Sequence, residues 1–336
     1  MGEGRLPEGR MVMRAAVLKE FGRPLVLEDV PPPNVSMRVG ATGLCHGDLH
    51  VLTGQWSWDV QTRLPLVLGH EISVVDETGN TFLVYNAKGC GTCRECRSGF
   101  PQFCERVEVL GIQRNGGFAE RVDVTGFPLV PVRGSPLEVA PLADAGVTAM
   151  SSVEGITEGS RVAVLGTGAV ALLSIQLLKN LNSEVWVVGR NSLKLKKARE
   201  LGADEIVFTK GEYSTDLSGS VGLRKFDFIL DYVGSDFTLR DLPWLLRRMG
   251  ELRIVGEFGG ELSIPDQLLV LRGLRVRGIL YGTMKNLVDV VKLFEDGKLK
   301  TLTVPYPLDE VNQAIMDLME GRIVGRAVIY PTSSST

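Results

Sequence analysis

The spacing of apolar residues divides the chain into two textures. From Met13 to about Ala140 the apolar runs are short and of β type, such as Arg14-Ala-Ala-Val-Leu and Leu25-Val-Leu, and they are interrupted by Pro31-Pro-Pro and frequent glycines. This pattern predicts an irregular, strand-rich domain. Near Asp144 the pattern changes. From Arg161 onward the runs RVAVL, EVWVV, DEIVF, FDFILD, ELRIV and RVRGILYG alternate with helical stretches such as AVALLSIQLLKN and LKLKKARELGA. Apolar runs of that kind separated by helices predict a parallel sheet covered on both faces, a doubly wound α/β domain over residues 146–283. Leu287, Val290, Val291 and Phe294 then keep helical spacing until Gly297, and a last β-type run begins at Arg326. Residues 1–12 lack periodicity and read as a loose leader. Residues 13–145 and 284–336 are assigned to the strand-rich domain. No internal repeat is visible.

A length of 336 residues exceeds what one core usually serves, which supports two domains, and 44% apolar with 23% charged residues is ordinary globular composition. No apolar run reaches the ~18–20 residues of a membrane span, and the start MGEGRLPEGR lacks the apolar stretch of a secretory signal, so a cytoplasmic protein is expected. A formal net charge of -3 gives no global basic field for nucleic acid or anionic membrane, which points to a small-molecule ligand. All 5 cysteines and all 3 histidines (His46, His50 and His70) fall in the first third, where the chemistry must concentrate.

The run VAVLGTGAVALLSIQLL puts Gly166, Thr167, Gly168, Ala169, Val170 and Ala171 between a strand and a helix in a G-x-G-x-x-A arrangement. The first glycine allows the tight turn, the second lets backbone approach a pyrophosphate, and the small third residue lets helix pack on strand. The helix start supplies amide donors to the phosphates. A Rossmann-type nicotinamide dinucleotide site follows, to which Thr148 is also assigned. The next strand ends at Gly189, Arg190 and Asn191, where NAD-binding chains carry a carboxylate for the ribose hydroxyl. No acid here repels a 2′-phosphate and a guanidinium is available to grip it, so NADP(H) is favoured over NAD(H). The competing reading makes Arg190 and Lys194 a solvated basic patch.

Cys90, Cys93, Cys96 and Cys104 lie in a glycine-rich segment, residues 89–105. Four thiolates on short turns close a tetrahedral shell with no open position, so a structural zinc is expected. The seven-residue gap and missing Cys-Pro fit an iron-sulfur run poorly, and an intracellular disulfide fits less well than metal.

The segment ATGLCHGDLH supplies Cys45, His46, Asp48 and His50, and LPLVLGHE supplies His70 and Glu71. Cysteine and histidine suit zinc, but two ligands leave a site incomplete. With Gly116 to Glu120, the four-cysteine segment, the dinucleotide turn and Gly325-Arg326 following in order, the chain from Met13 to Pro331 resembles the zinc-dependent medium-chain alcohol dehydrogenases. The resemblance implies a GroES-like catalytic domain beside the Rossmann domain. It implies Cys45 and His70 as catalytic zinc ligands, with Glu71 beside the metal and Asp48 orienting a ligand. His46 and Arg326 correspond to contacts with the cofactor phosphates. A homodimer or homotetramer is implied as well.

Two positions depart from the family. Asp144, in Pro141-Leu-Ala-Asp-Ala-Gly146, stands where the family places its third ligand, a cysteine. A carboxylate keeps the charge balance but is a harder ligand, which admits weaker zinc retention or another divalent ion. Gly47 replaces the usual serine or threonine of a proton path whose far end corresponds to His50, and slow turnover on simple alcohols is expected from that loss. Trp56 and Trp58, between the two zinc motifs, are read either as walls of a pocket for bulky apolar carbonyl compounds or as packing under a loop. Short loops with few Asn and Gln residues are compatible with heat stability. The expected reaction is reversible NADPH-dependent reduction of an aldehyde or ketone. Two alternatives stay open: a zinc-free quinone or enoyl reductase-like enzyme, and a nucleotide-binding protein with a weakened catalytic site.

Overall fold

The computed structural model describes residues 11–57, 60–222, 225–240 and 242–332, so most of the expected leader, and Trp58, lie outside the described residues. The chain forms two compact units, Met1–Asp144 with Thr303–Thr336, and Ala145–Leu302. No helix among the described residues is long and apolar enough to cross a membrane.

The continuous unit is built on six parallel strands in the spatial order Glu205–Phe208, Glu184–Gly189, Arg161–Leu165, Phe226–Asp231, Leu246–Ile254 and Arg275–Gly278. Counted along the chain this is 3-2-1-4-5-6, the doubly wound order in which the first strand is central and its carboxyl end marks the reversal of winding. In the three central strands the apolar runs are buried on both faces, Val162, Ala163, Val164, Leu165, Val187, Val188, Ile229 and Leu230 being fully enclosed, whereas the edge strands Glu205–Phe208 and Arg275–Gly278 are largely exposed.

The second crossing between units comes at Thr303 rather than at 284, where the sequence pattern puts it. Helix Met284–Glu295 carries the apolar stripe responsible. It buries Leu287, Val290 and Val291, packs on helix Ala145–Val153 of the continuous unit, and therefore belongs there.

In the other unit a seven-stranded, largely antiparallel sheet runs Thr303–Pro307, Arg326–Tyr330, Met37–Leu44, Glu71–Val75, Thr81–Val84 and Leu129–Pro131, with Arg121–Val122 also paired to Met37–Leu44. A smaller sheet joins Val26–Val30, Met13–Leu18 and Leu66–Val67. Register decides the chemistry of this unit. Gly43 lies opposite Glu71 in an antiparallel pair, so the chain leaves one strand at Cys45 beside the point where it enters the other from His70. Beneath them, Gly116, Gly117 and Phe118 donate backbone hydrogen bonds to the carbonyls of Val67, Gly69 and Leu68 at 2.8, 2.8 and 3.0 Å.

That floor explains a glycine in the Gly-Gly-Phe-Ala-Glu run. A Cβ on Gly116 would fall on the Gly69 carbonyl oxygen and come within 2.7 Å of Gly111 Cα and of Leu68 O, all backbone atoms that cannot swing aside. Gly116→Ala is therefore expected to cost about 1–3 kcal/mol, the usual range for overpacking a filled interior. Thermal unfolding followed by circular dichroism measures this, and an unchanged Tm would contradict the packing described.

Candidate functional site: a Cys-His-Asp centre and a glycine turn

Strand Met37–Leu44 ends at Cys45, whose extended backbone caps helix His46–Thr53. In the first turn of that helix sits Asp48, 1% exposed, and it holds three groups at once. Its Oδ2 accepts from Cys45 N–H at 2.9 Å, while Oδ1 accepts from Gly69 N–H at 3.1 Å and from His70 Nδ1 at 3.0 Å. The imidazole is thereby turned so that Nε2 faces Asp144, whose Oδ2 is 3.6 Å away. Cys45, His70 and Asp144 each offer a ligand atom, and these atoms lie within 4.8 Å of one another.

A divalent ion fits this trio. Bonds of ~2.0–2.1 Å to N and O in a tetrahedron separate the two donors by about 3.4 Å, close to the distance between Nε2 and the carboxylate. The local field agrees. Burial by itself would lower the His70 pKa, but the charge of Asp48, its hydrogen bond, and the nearby Asp144 and Cys45 raise it well above the ordinary imidazole value. Burial would raise the Asp144 carboxyl, yet His70 first and Arg326 after it hold it below the usual range. Positive charge at Nε2 is thus strongly favoured, and a metal ion supplies it while leaving the imidazole neutral.

Glu71 and Arg326 lie behind the trio. Arg326 Nε is 2.8 Å from Glu71 Oε2, with side chains 5% and 0% exposed, and Arg326 Nη2 is 3.7 Å from Asp144 Oδ2. Glu71 occupies the volume that a side chain on Gly43 would fill. Hence Arg326, expected among the phosphate contacts, is found buried against carboxylates, and its guanidinium is held charged by Glu71, Cys45 and Asp144 against the opposing effect of burial. His46 is half-buried at the start of its helix.

Gly47 has a definite neighbour. A Cβ there would sit 3.0 Å from His70 Cε1 and 3.2 Å from Trp56 Cη2, so the indole edge occupies the space beside the ligand imidazole. Trp56 also lies against His50, with ring centroids 5.0 Å apart, and His50 Nδ1 meets Gln55 Oε1 at 2.7 Å.

In the separate cysteine segment the thiol sulfurs of Cys90, Cys93, Cys96 and Cys104 also lie within 4.8 Å of one another, and all five cysteines are unbridged. One tetrahedral ion with ~2.3 Å bonds to sulfur needs sulfurs about 3.8 Å apart, whereas a cluster of several irons holds its thiolates farther away. Backbone N–H groups point at these sulfurs: Cys93 to Cys90 at 3.4 Å, Cys96 to Cys93 at 3.4 Å, Cys90 to Cys104 at 3.4 Å and Arg106 to Cys104 at 3.3 Å. The Thr92 hydroxyl and the amides of Thr92 and Cys93 pull the Cys90 thiol down to about 5, while, against the Cys96 amide, burial and the thiols of Cys96 and Cys90 push Cys93 up to about 12, so the four share negative charge unevenly when no ion is bound.

In the continuous unit, Gly166 follows strand Arg161–Leu165 with φ +103°, a conformation that L side chains rarely adopt, and its α-carbon faces Val233. Gly168 caps helix Ala169–Asn180 with no side-chain cap bond, and no atom lies within 4 Å of where its Cβ would be, so the backbone there is open to a ligand. Val170 follows Ala169 in the first turn, and Thr148 is buried on helix Ala145–Val153. Gly189 ends the second strand under Thr167, whose Cγ2 would be 2.8 Å from an added Cβ. The threonine side chain thus crowds any side chain added at position 189. Arg190 is exposed, and Asn191 caps the next helix through Lys194 N–H at 3.1 Å.

Sequence reasoning missed Asp231 here. Fully buried at the end of Phe226–Asp231, it accepts from Val233 N–H at 2.9 Å, Gly234 N–H at 3.1 Å and Thr238 Oγ1 at 2.7 Å, and so fixes the loop that faces Gly166. An acid closing an otherwise apolar run was the available signal.

These arrangements have counterparts in known proteins. Residues 31–133 match the alcohol dehydrogenase GroES-like domain, and residues 169–296 match the zinc-binding dehydrogenase domain. D-arabinose 1-dehydrogenase (NADP(+)) of Saccharolobus solfataricus is 36% identical, over 95% of this chain and 97% of that protein. An NAD-dependent alcohol dehydrogenase of Sulfolobus acidocaldarius is 33% identical, over 95% of this chain and 100% of that one. The crystal structure of the alcohol dehydrogenase from Aeropyrum pernix superposes with a TM-score of 0.87 at 34% identity, covering 95% of this chain and 100% of that one. With its domain matches in order and its likeness running nearly end to end, the chain belongs to the zinc-type medium-chain alcohol dehydrogenase family.

Proposed function

We propose that the protein is a metal-dependent alcohol dehydrogenase, or carbonyl reductase, that transfers hydride between NADP(H) and an alcohol/carbonyl pair, with a bulky apolar compound as substrate. The observation that carries this reading is the convergence of Cys45, His70 and Asp144 around one point, with Asp48 fixing the imidazole that faces it. Three protein ligands leave a tetrahedral ion one position for substrate, whereas the four-cysteine segment leaves none. Bound by the trio, zinc acts as a Lewis acid on a carbonyl oxygen.

The remaining work belongs to side chains. A thiolate and a carboxylate around a neutral imidazole bring two negative charges to a divalent ion, as the family's two thiolates would. Arg326, 3.7 Å from Asp144, tempers the charge of the harder ligand. Trp56 offers an apolar face beside His70, which supports a bulky substrate over a small hydrophilic one. Gly47 supplies no hydroxyl, and the indole occupies that space, so a proton leaves this site without a side chain at position 47 to carry it.

For the cofactor, support comes from Gly189, where Thr167 leaves no room for an acid, and from the exposed guanidinium of Arg190 beside it. A 2′-phosphate meets a cation there rather than a carboxylate.

Elemental analysis is expected to find two metal ions per folded chain, and Cys45→Ala is expected to retain one and lose carbonyl reduction. A single ion in the parent chain contradicts the proposal. Arg190→Ala should weaken NADPH by about 10- to 100-fold, the range of one charge-assisted hydrogen bond, and leave NADH nearly unchanged. Fluorescence titration with both nucleotides reads this, and equal losses would remove the argument for NADP(H). Gly47→Ser should lower kcat on ketones because its Cβ presses on His70 and Trp56, and a second change, Trp56→Ala, should recover part of the loss. A faster single variant would mean that a missing hydroxyl, not crowding, limits turnover.

A further inference from the structure

The four-cysteine segment leaves the sheet and returns to it through a narrow neck. Lys88 and Glu108 exchange backbone hydrogen bonds of 3.0 and 2.9 Å, and their side chains pair at 2.8 Å. One step below the neck is Asn86, 3% exposed, in the apolar run that follows strand Thr81–Val84. Its Oδ1 accepts from Leu110 N–H at 2.9 Å. Its Nδ2 donates to Leu110 O at 3.2 Å and to His70 O at 2.7 Å. The outgoing stem, the returning stem and the backbone of His70 therefore share one amide. Next to it, Gly111 on the returning stem lies so close to Gly69 that an added Cβ would approach Gly69 C, O and N at 2.7, 2.8 and 2.9 Å.

From this geometry we infer that Asn86 is a positioning residue that makes the placement of His70 depend on closure of the cysteine segment. The inference rests on the proposed reading in which both cysteine-containing centres hold metal. Asp48 fixes the His70 ring from one side, and Asn86 fixes its carbonyl from the other. The separation of the two stems sets where Asn86 can reach. Four thiolates on one ion hold the segment closed and the stems together. When they release it, only the Lys88–Glu108 bonds still hold the neck, Asn86 is placed less firmly, and the backbone carbonyl of His70 loses part of its support. The segment thus acts on metal retention at a centre to which it contributes no ligand.

The test follows metal release from the full-length, metal-loaded protein into a chromogenic chelator, with Cys45→Ala marking which phase belongs to which centre. Asn86→Ala is expected to speed release from the Cys45 centre by about tenfold or more, the scale found when outer supports of metal ligands are removed, with the cysteine-segment phase unchanged. Asn86→Asp keeps an acceptor for Leu110 N–H but cannot donate to His70 O, and it should show the same acceleration. This makes it the deciding variant where the alanine chain fails to fold by near-UV circular dichroism. Cys104→Ser should lose the segment's metal and accelerate release of the remaining one. Wild-type rates in both phases for a folded Asn86 variant overturn the coupling and leave the two-metal reading standing. A parent chain that releases a single metal overturns both.

Discussion

One buried carboxylate organises the unit that carries Cys45, His70 and Asp144. Asp48 could not be enclosed without compensation, because a carboxylate removed from water costs several kcal/mol unless donors replace its hydration. It receives three donors, and each belongs to the centre: the amide of one ligand, the ring of another and the amide between the strands that deliver them. Satisfying Asp48 and assembling Cys45 with His70 are the same event. The ordinary geometry of a helix start makes this economical, since an acid three residues after the cap already points back to the cap amide.

Charge is balanced in layers around that carboxylate. His70 lies between Asp48 and Asp144, and Arg326 lies between Glu71 and Asp144. Carboxylates therefore outnumber cations in a nearly dry volume, which leaves a deficit that a divalent ion makes good. Asp144 belongs to this pattern, since His70 and Arg326 beside it hold its carboxyl below the usual range despite its burial.

Much of this was legible in the chain. The strand-turn-helix around Gly166 and the Cys90 to Cys104 spacing are local patterns whose physics acts over a few residues, and the structure brings the four sulfurs together. Asp144 was singled out only through the family's order of motifs, since nothing in its own stretch of sequence distinguishes it. What could not be read depends on distant contacts. Trp56 beside Gly47, Thr167 over Gly189 and Asn86 between two stems are pairings set by tertiary packing. The same holds for helix Met284–Glu295, whose apolar stripe was visible but whose partner, helix Ala145–Val153, was not. Arg326 stood at the expected motif, while its burial against Glu71 follows from sheet order.

That sheet order also bears on how the chain folds as it is made. Strand Arg326–Tyr330 sits between Thr303–Pro307 and Met37–Leu44, so the unit that carries Cys45, His70 and Asp144 is stitched from segments synthesised far apart, whereas Ala145–Leu302 is continuous. On a ribosome the dinucleotide-type unit has all its strands while the other still lacks an interior one, and Glu71 still lacks the guanidinium that neutralises it. The first residues to emerge are thus among the last whose sheet is completed. Cys45, His70 and Asp144 are all made before the strand that brings Arg326 beside Glu71 and Asp144, so the charge around them is balanced only when the final strand docks.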